Sequence, residues 1–271
     1  MSDRPELLPP AESRDSLGCF SGRVADYART RPSYPRALVS VLRDTCALGA
    51  DSVAADLGSG TGLFTRLLLE TGATVHAVEP SDEMRAAACA MLGAELGFRS
   101  VSGTAEVTTL PDACVDVVTA AQAFHWFDVE RTHAELSRIL RPRAKALEAQ
   151  SVALVWNDRE LDADAFHRDY EQLLLRRCPR YRELQGKADT TSKFDALLGR
   201  ERWSRHSVAN EQRLGREGLA GRLASSSYAL RAGEAGFDET FAELDAVFDR
   251  HAEGGSIAMR YTTVAIVGRP R

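Results

Sequence analysis

Apolar residues along the chain recur at helical spacing in some stretches and as short unbroken runs in others, and the two kinds of stretch alternate. In PRALVSVLRDTC (35–46), Leu38, Val41 and Leu42 fall on one helical face after a proline suited to a helix start. The DSVAADLG that follows is a β-type run closed by glycine. GLFTRLLLETG predicts a helix ended at Gly72, ATVHAVEP a second strand, and SDEMRAAACAMLGAELG an alanine-rich helix that Ser81 can cap, with Glu83 in its first turn. FRSVSGTAE reads as a short third strand and CVDVVTAAQAF as a buried fourth. VERTHAELSRILRP is a helix stopped by Pro142, and SVALVWND is a fifth strand. Strands and helices in alternation imply right-handed βαβ crossovers and a parallel sheet with helices on both faces.

After Asp158 the pattern changes. Residues 159–200 are charged and predict a helix over ADAFHRDYEQLLLRRC, a weaker one near SKFDALLG and no strand, which suggests a helical lid. RWSRHSVANEQ alternates weakly as a strand, REGLAGRLASSSY and ETFAELDAVFDRHAE read as helices, and SIAMRYTTVAIVGRP is a final strand rich in β-branched residues. The expected organisation is a disordered segment over 1–19, a binding core over 20–158, the lid over 159–200 and the rest of the core, with strands six and seven, over 201–271.

Composition narrows the function more than the fold. The 34 basic and 39 acidic residues give a formal charge of −5, which is not the footprint of a chain that grips phosphate backbones, so no nucleic-acid partner is expected. The cysteines show no CxxC pair or metal-ligand spacing, so neither a disulfide framework nor a metal site is expected, and a reducing, cytoplasmic setting is. The polar, proline-rich start has no apolar signal region, and no run approaches a membrane span.

The densest chemical signal is DLGSGTGLF after strand one, with Gly58, Gly60 and Gly62. A dinucleotide fingerprint, GxGxxG, would put its third glycine where Leu63 stands, and no Gly-Lys-Ser/Thr follows to make a P-loop. Asp56 precedes the first glycine by two positions; a carboxylate there repels pyrophosphate and favours a nucleotide that bears an ammonium group. Glu79 ends strand two, 21 positions after Gly58, where a carboxylate can accept both hydroxyls of a ribose.

DLGSGTG, AVEPSDEM and GTAEVTTLPDACVDVVTAAQAFHWFD together resemble the first four motifs of class I S-adenosylmethionine-dependent methyltransferases. FSGRVADYARTRPSYPRAL, RLASSSY and RYTTVAIVGR are similar to the small-molecule branch that includes relatives of trans-aconitate and juvenile hormone acid methyltransferases. The resemblance implies a Rossmann-like α/β fold: a seven-stranded, mostly parallel sheet, last strand antiparallel, helices on both faces and a helical lid. It implies S-adenosylmethionine as cofactor, S-adenosylhomocysteine as product and a small-molecule acceptor, with oxygen favoured.

Carried onto this chain, Asp56 would receive the methionine ammonium through water or backbone. Gly58, Ser59, Gly60 and Gly62 would let the backbone approach. Glu79, with Pro80 beside it, would hold the ribose, and Thr104, Ala105 and Glu106 would edge the adenine; many relatives have Asp where Thr104 stands. Tyr27 and Arg31 would close over the cofactor. Gln122, His125, Trp126 and Phe127 follow strand four at the reactive end, with His125 available as a base and Trp126 as an acceptor contact. Tyr228 is favoured among lid residues over His167, Tyr170, Arg176, Arg177 and Arg222. A glycine pair usual after RP is replaced by RPRAKALEAQ, which is helix-forming. The rival classes are a nucleic-acid or protein methyltransferase, disfavoured because strand four lacks an Asn/Asp-Pro-Pro-Tyr/Phe ending, and a non-catalytic sensor of S-adenosylmethionine.

Overall fold

The computed structural model describes residues 30–142, 151–185 and 190–271. The expected disordered segment 1–19, Tyr27 and the AKALEAQ stretch lie outside the described residues. Five strands, β1 (Val53–Leu57), β2 (Thr74–Val78), β3 (Phe98–Val101), β4 (Val117–Ala121) and β5 (Val152–Arg159), pair in parallel. β6 (Trp203–Leu214) and β7 (Ile257–Gly268) form an antiparallel pair. β7 inserts between β5 and β6 and runs antiparallel to both, so the seven-stranded order is β3-β2-β1-β4-β5-β7-β6. Strand number, direction and the reversed last strand are those expected.

The alternation of side chains across the sheet divides its core into two layers. On one face α1 (Ala37–Cys46), α2 (Leu63–Leu69) and α3 (Asp82–Leu92) cover Ala54, Val75, Ala77 and Val155. α3 begins as its sequence predicts: the Ser81 hydroxyl accepts the Met84 amide, and Asp82 and Glu83 occupy the first turn. On the other face α4 (Val129–Ile139) meets Leu57, Val118, Ala120 and Leu154.

A third apolar cluster lies beyond the sheet. α5 (Ala165–Arg177), α8 (Arg216–Ala224) and α9 (Phe237–His251) pack Leu173, Leu223 and Leu244 against Ile257, Met259 and Tyr261 of β7. One 12-residue strand thereby serves two cores, since Val264–Val267 belong to the sheet. The 159–200 segment is divided accordingly. α5 joins this cluster with Tyr181 of the short α6 (Pro179–Gln185), whereas α7 (Thr190–Leu198) lays Phe194, Leu197 and Leu198 on the sheet beside Phe124 and Trp156. The expectation of one lid over 159–200 is corrected to that extent: the i, i+3, i+4 spacing of those three apolar residues gives α7 a core face.

β4 is shorter than its apolar run. Cys114 and Val115 instead bond the end of α4 through Ile139, and Phe124–Trp126 coil into a single 3-10 turn. Among the described residues, no helix is long and apolar enough to cross a membrane. The parallel strands leave the ends of β1 to β5 on one sheet edge, where open α/β sheets take their ligands.

Candidate functional site

β1 ends at Leu57, and the chain turns through Gly58–Gly62 into α2. The Gly58 and Ser59 amides both donate to Val78 O, at 2.9 and 3.2 Å, which ties the turn to the end of β2. Gly58, Gly60 and Gly62 all adopt positive φ. A Cβ on Gly58 would stand 2.7 Å from Ala123 Cβ, and one on Gly62 would stand 2.7 Å from Leu92 Cδ1. A Cβ on Gly60 would meet nothing within 4 Å. The outer two glycines therefore serve packing, and the middle one leaves open space on the cleft.

Asp56 is buried at the base of the turn. Its Oδ2 accepts the Thr65 hydroxyl at 2.7 Å and its Oδ1 accepts the Thr119 hydroxyl at 2.9 Å. Thr119 is its register partner on β4 and Thr65 comes from the first turns of α2, so two elements fix the carboxylate. Among the described residues no cation pairs with it. Burial pushes its pKa up to about 6, against the two hydroxyls that lower it, and nearby Glu79 adds to the rise. Keeping this carboxylate ionised at neutral pH therefore costs stability, as is characteristic of functional carboxylates.

Glu79 follows the last residue of β2. Its Oε2 accepts the Gly60 amide at 3.0 Å and its Oε1 the Ser81 amide at 2.9 Å. Burial raises its pKa as well, opposed by these two amides and by Arg85. The carboxylate is oriented by the backbone, with lone pairs left over for a ligand.

A cleft of about 530 Å³, open to solvent, runs along this edge. Asp56, Gly58–Thr61, Phe64 and Gln122 line one part of it, and Arg31, Tyr34, Asn157 and Arg222 another. Residues 30–34 form a strap over it. Arg31 Nη2 donates to Ser225 O at 2.7 Å, Gln212 Nε2 to Thr30 O at 2.9 Å, and Asn157 and Asn210 both donate to Ser33 O. The Tyr34 ring meets Phe64 edge-on at 4.8 Å. Ser59 Oγ and Thr61 Oγ1 are buried without a hydrogen-bond partner, although such groups are nearly always satisfied. A polar ligand with a cationic end fits these residues: orphaned hydroxyls, open space at Gly60, an uncompensated carboxylate and an aromatic wall.

Of the expected site residues, Arg31, Asp56, Gly58, Ser59, Gly60 and Gln122 line the cleft. Glu79 reaches it through the Gly60 amide. Gln122 holds φ 57° and donates Nε2 to Asn157 O at 3.2 Å, a strained placement kept at the end of β4. Pro80 is exposed beside Glu79, and Gly62 packs on α3. Thr104, Ala105 and Glu106 stand outside the cleft lining. The Thr104 hydroxyl accepts the Val107 amide at 3.2 Å, Ala105 is in the sheet core, and Glu106 accepts the Asp128 amide at 2.9 Å ahead of α4.

His125 and Trp126 also stand outside the cleft lining. Phe124 takes the inward position of that turn and stacks on Phe194, so its two neighbours face outward, with their rings 4.8 Å apart. Desolvation by its neighbours, although one side of the residue stays exposed, and then the Lys193 ammonium push the His125 imidazole down to about 4. Tyr228 is half-buried at the rim of the helical cluster, its ring 4.9 Å from Tyr181. His167 is fully buried and spends both ring nitrogens, on Asp164 and on the Arg260 amide. Arg176 and Arg177 pair with Glu243 and are half-exposed.

Thr65, Thr119, Tyr34 and Asn157 also shape the site, and none of them is among the site residues expected from the sequence. Asn157 and Arg159 end β5, and a polar residue at the end of a parallel strand is itself a signal for the binding edge.

With this geometry in place, comparisons agree on one family. The profile of a family described as a methyltransferase domain matches residues 55–147. An uncharacterised methyltransferase of Mycobacterium tuberculosis is 39% identical over 147 residues, 54% of this chain and 55% of that protein, so the chain spans about half the length of such relatives. An uncharacterised methyltransferase of Geobacillus sp. is 31% identical over 168 residues, 59% of this chain and 75% of the relative. A solved structure from Anaeromyxobacter dehalogenans, provisionally named a type II methyltransferase, superposes with a TM-score of 0.62 at 27% identity, covering 89% of this chain and 97% of that one.

Proposed function

Because the chain belongs to the class I S-adenosylmethionine-dependent methyltransferases, we propose that it moves a methyl group from S-adenosylmethionine to a small, freely diffusing acceptor, with an oxygen of a carboxylate or hydroxyl receiving it. The observation that carries this reading is Asp56, a buried carboxylate without a cationic partner among the described residues, set at a glycine turn and beside a second carboxylate. An ammonium-bearing nucleoside supplies the missing charge.

S-adenosylmethionine, when bound, contributes a methyl group already activated by its positive sulfur. The chain's own task is then to hold two molecules in line and exclude water. Asp56 attracts the ammonium, Ser59 and Thr61 offer hydroxyls, and Glu79 accepts from the ribose. The strap bearing Arg31 and Tyr34 shields the cleft, and Gln122, held on Asn157, borders the reacting end. Apart from Asp56, whose two oxygens are taken by Thr65 and Thr119, no carboxylate or imidazole lines the cleft among the described residues, which suits an acceptor oxygen that is already ionised or readily ionised. The reaction is read as cytoplasmic, with neither nucleic acid nor membrane as partner.

Screening an acceptor library for release of homocysteine equivalents, together with calorimetry of S-adenosylmethionine, tests the proposal. Saturable binding and acceptor-dependent product are expected. Absence of binding overturns the reading, and binding with no product from any acceptor leaves a sensor in its place.

A pH dependence follows from Asp56. Its carboxylate attracts an ammonium only when ionised, and with a pKa near 6 it is mostly ionised at pH 7.5 and mostly neutral at pH 5. The apparent Kd for S-adenosylmethionine is expected to rise as pH falls through 6, by up to about tenfold per unit. In Asp56→Asn the affinity is weaker throughout and this slope disappears; calorimetry between pH 5 and 8 reads both.

A further inference from the structure

We propose, building on the methyl-transfer reading, that the acceptor is a small acid whose oxyanion docks on Arg222 in the cleft wall and on Arg159, which stands outside the lining and is joined to Arg222 through Tyr261. Both arginines are at least nine-tenths buried, counting the Arg159 side chain. Only one carboxylate, Glu171, pairs with either of them among the described residues; it takes Arg159 Nη2, which also donates to the Tyr181 hydroxyl at 3.0 Å. Arg159 Nη1 is buried and has no hydrogen-bond partner at all.

Arg222 lines the cleft itself. Its Nε donates to the Tyr261 hydroxyl at 3.3 Å and its Nη1 to the Ser226 hydroxyl at 2.9 Å, both neutral acceptors. The two guanidiniums share one neighbourhood. Arg159 ends β5 directly opposite Tyr261 of β7, the same tyrosine that Arg222 bonds. Tyr170 and Tyr228 stand near both arginines, and the Arg159 guanidinium lies 5.0 Å over the Tyr170 ring.

A buried guanidinium with an unmade hydrogen bond is costly, and two sharing one carboxylate leave a net positive charge in an apolar shell. The ring faces stabilise cations but cannot satisfy an N–H fork. An incoming oxyanion does both, and the tyrosine rings offer it an apolar and aromatic frame. An amine acceptor would meet repulsion at the same place, and a neutral amide would leave the charge unmet.

The test uses the full chain saturated with S-adenosylhomocysteine and matched probes: phenylacetate with phenylacetamide, octanoate with octanamide, and phenyl phosphate to separate carboxylate from phosphate. Calorimetry is expected to give each carboxylate a Kd about 100-fold below that of its amide. In Arg159→Gln this preference collapses to within about threefold, while the Kd for S-adenosylhomocysteine stays within about threefold and certifies the fold. Arg159→Lys, which keeps the charge but not the fork, retains an intermediate preference. Equal binding of acids and amides, or an acid preference that survives Arg159→Gln, overturns the proposal. If S-adenosylhomocysteine itself does not bind, it is the methyl-transfer reading that fails; if it binds while neutral or cationic acceptors are methylated and acids are inert, only the oxyanion site fails. A rise in the Kd for S-adenosylhomocysteine confined to Arg222→Gln, with Arg159→Gln losing no acid preference, would give Arg222 to the cofactor and likewise overturn it.

Discussion

Glu79→Ala is expected to weaken S-adenosylhomocysteine binding by about 100-fold, with adenosine weakened by a similar factor. The carboxylate is positioned before any ligand arrives, because the Gly60 and Ser81 amides hold one oxygen each. A ribose hydroxyl bonding it makes a charge-assisted contact worth roughly 1.5–3 kcal/mol, and removing the side chain also strands two backbone donors that shape the turn. About 3 kcal/mol in total converts to about two orders of magnitude in Kd. Glu79→Gln preserves the shape but presents an NH2 group to one of the two amides, so a loss of about tenfold is expected instead. Equal losses for adenosine and S-adenosylhomocysteine assign the contact to the ribose. Should both affinities stay at the wild-type value, Glu79 has no part in the site.

That carboxylate was legible in the sequence because its meaning is local: it ends an apolar run, at a fixed distance from a glycine turn, and strand ends share one edge. The same locality made β1 to β5, their helices and the Ser81 cap readable. What was not legible depended on tertiary neighbours. DLGSGTG does not say that Thr119, 63 positions away from Asp56, and Thr65 will occupy both carboxylate oxygens. FHWF placed an ionisable ring beside the right strand, yet which of four aromatic residues turns inward is decided by Phe194, from a helix that the charge pattern grouped with the lid. The resemblance sets Glu106 at the adenine edge, whereas the amide that its carboxylate accepts, that of Asp128, lies beyond β4 in sequence. Arg159 was invisible for the same reason: a strand-end arginine becomes a binding candidate only when its pairing with Glu171 and the vacancy at Nη1 are both known.

The glycines of the turn are expected to fail in different ways, which separates packing from ligand contact within one motif. Gly58→Ala places a Cβ 2.7 Å from Ala123 Cβ on a backbone at φ 65°, and neither atom is the end of a flexible side chain. Left-handed strain of about 1–2 kcal/mol plus overpacking of about 1–3 kcal/mol should lower Tm by roughly 5–15 °C in a domain of this size. Adding Ala123→Gly removes the contact but not the strain, so about half of the loss should return. Gly60→Ala has the same kind of φ, 57°, and no atom within 4 Å of the new methyl. Its stability cost is the conformational part alone, about 1–2 kcal/mol, while the methyl enters the cleft and should weaken S-adenosylhomocysteine by about 30-fold or more. Thermal unfolding and calorimetry on the same three proteins read the contrast. If Gly60→Ala binds as the wild type does, the open space beside Gly60 is not where the ligand lies, and the cleft must be entered from the Arg222 side.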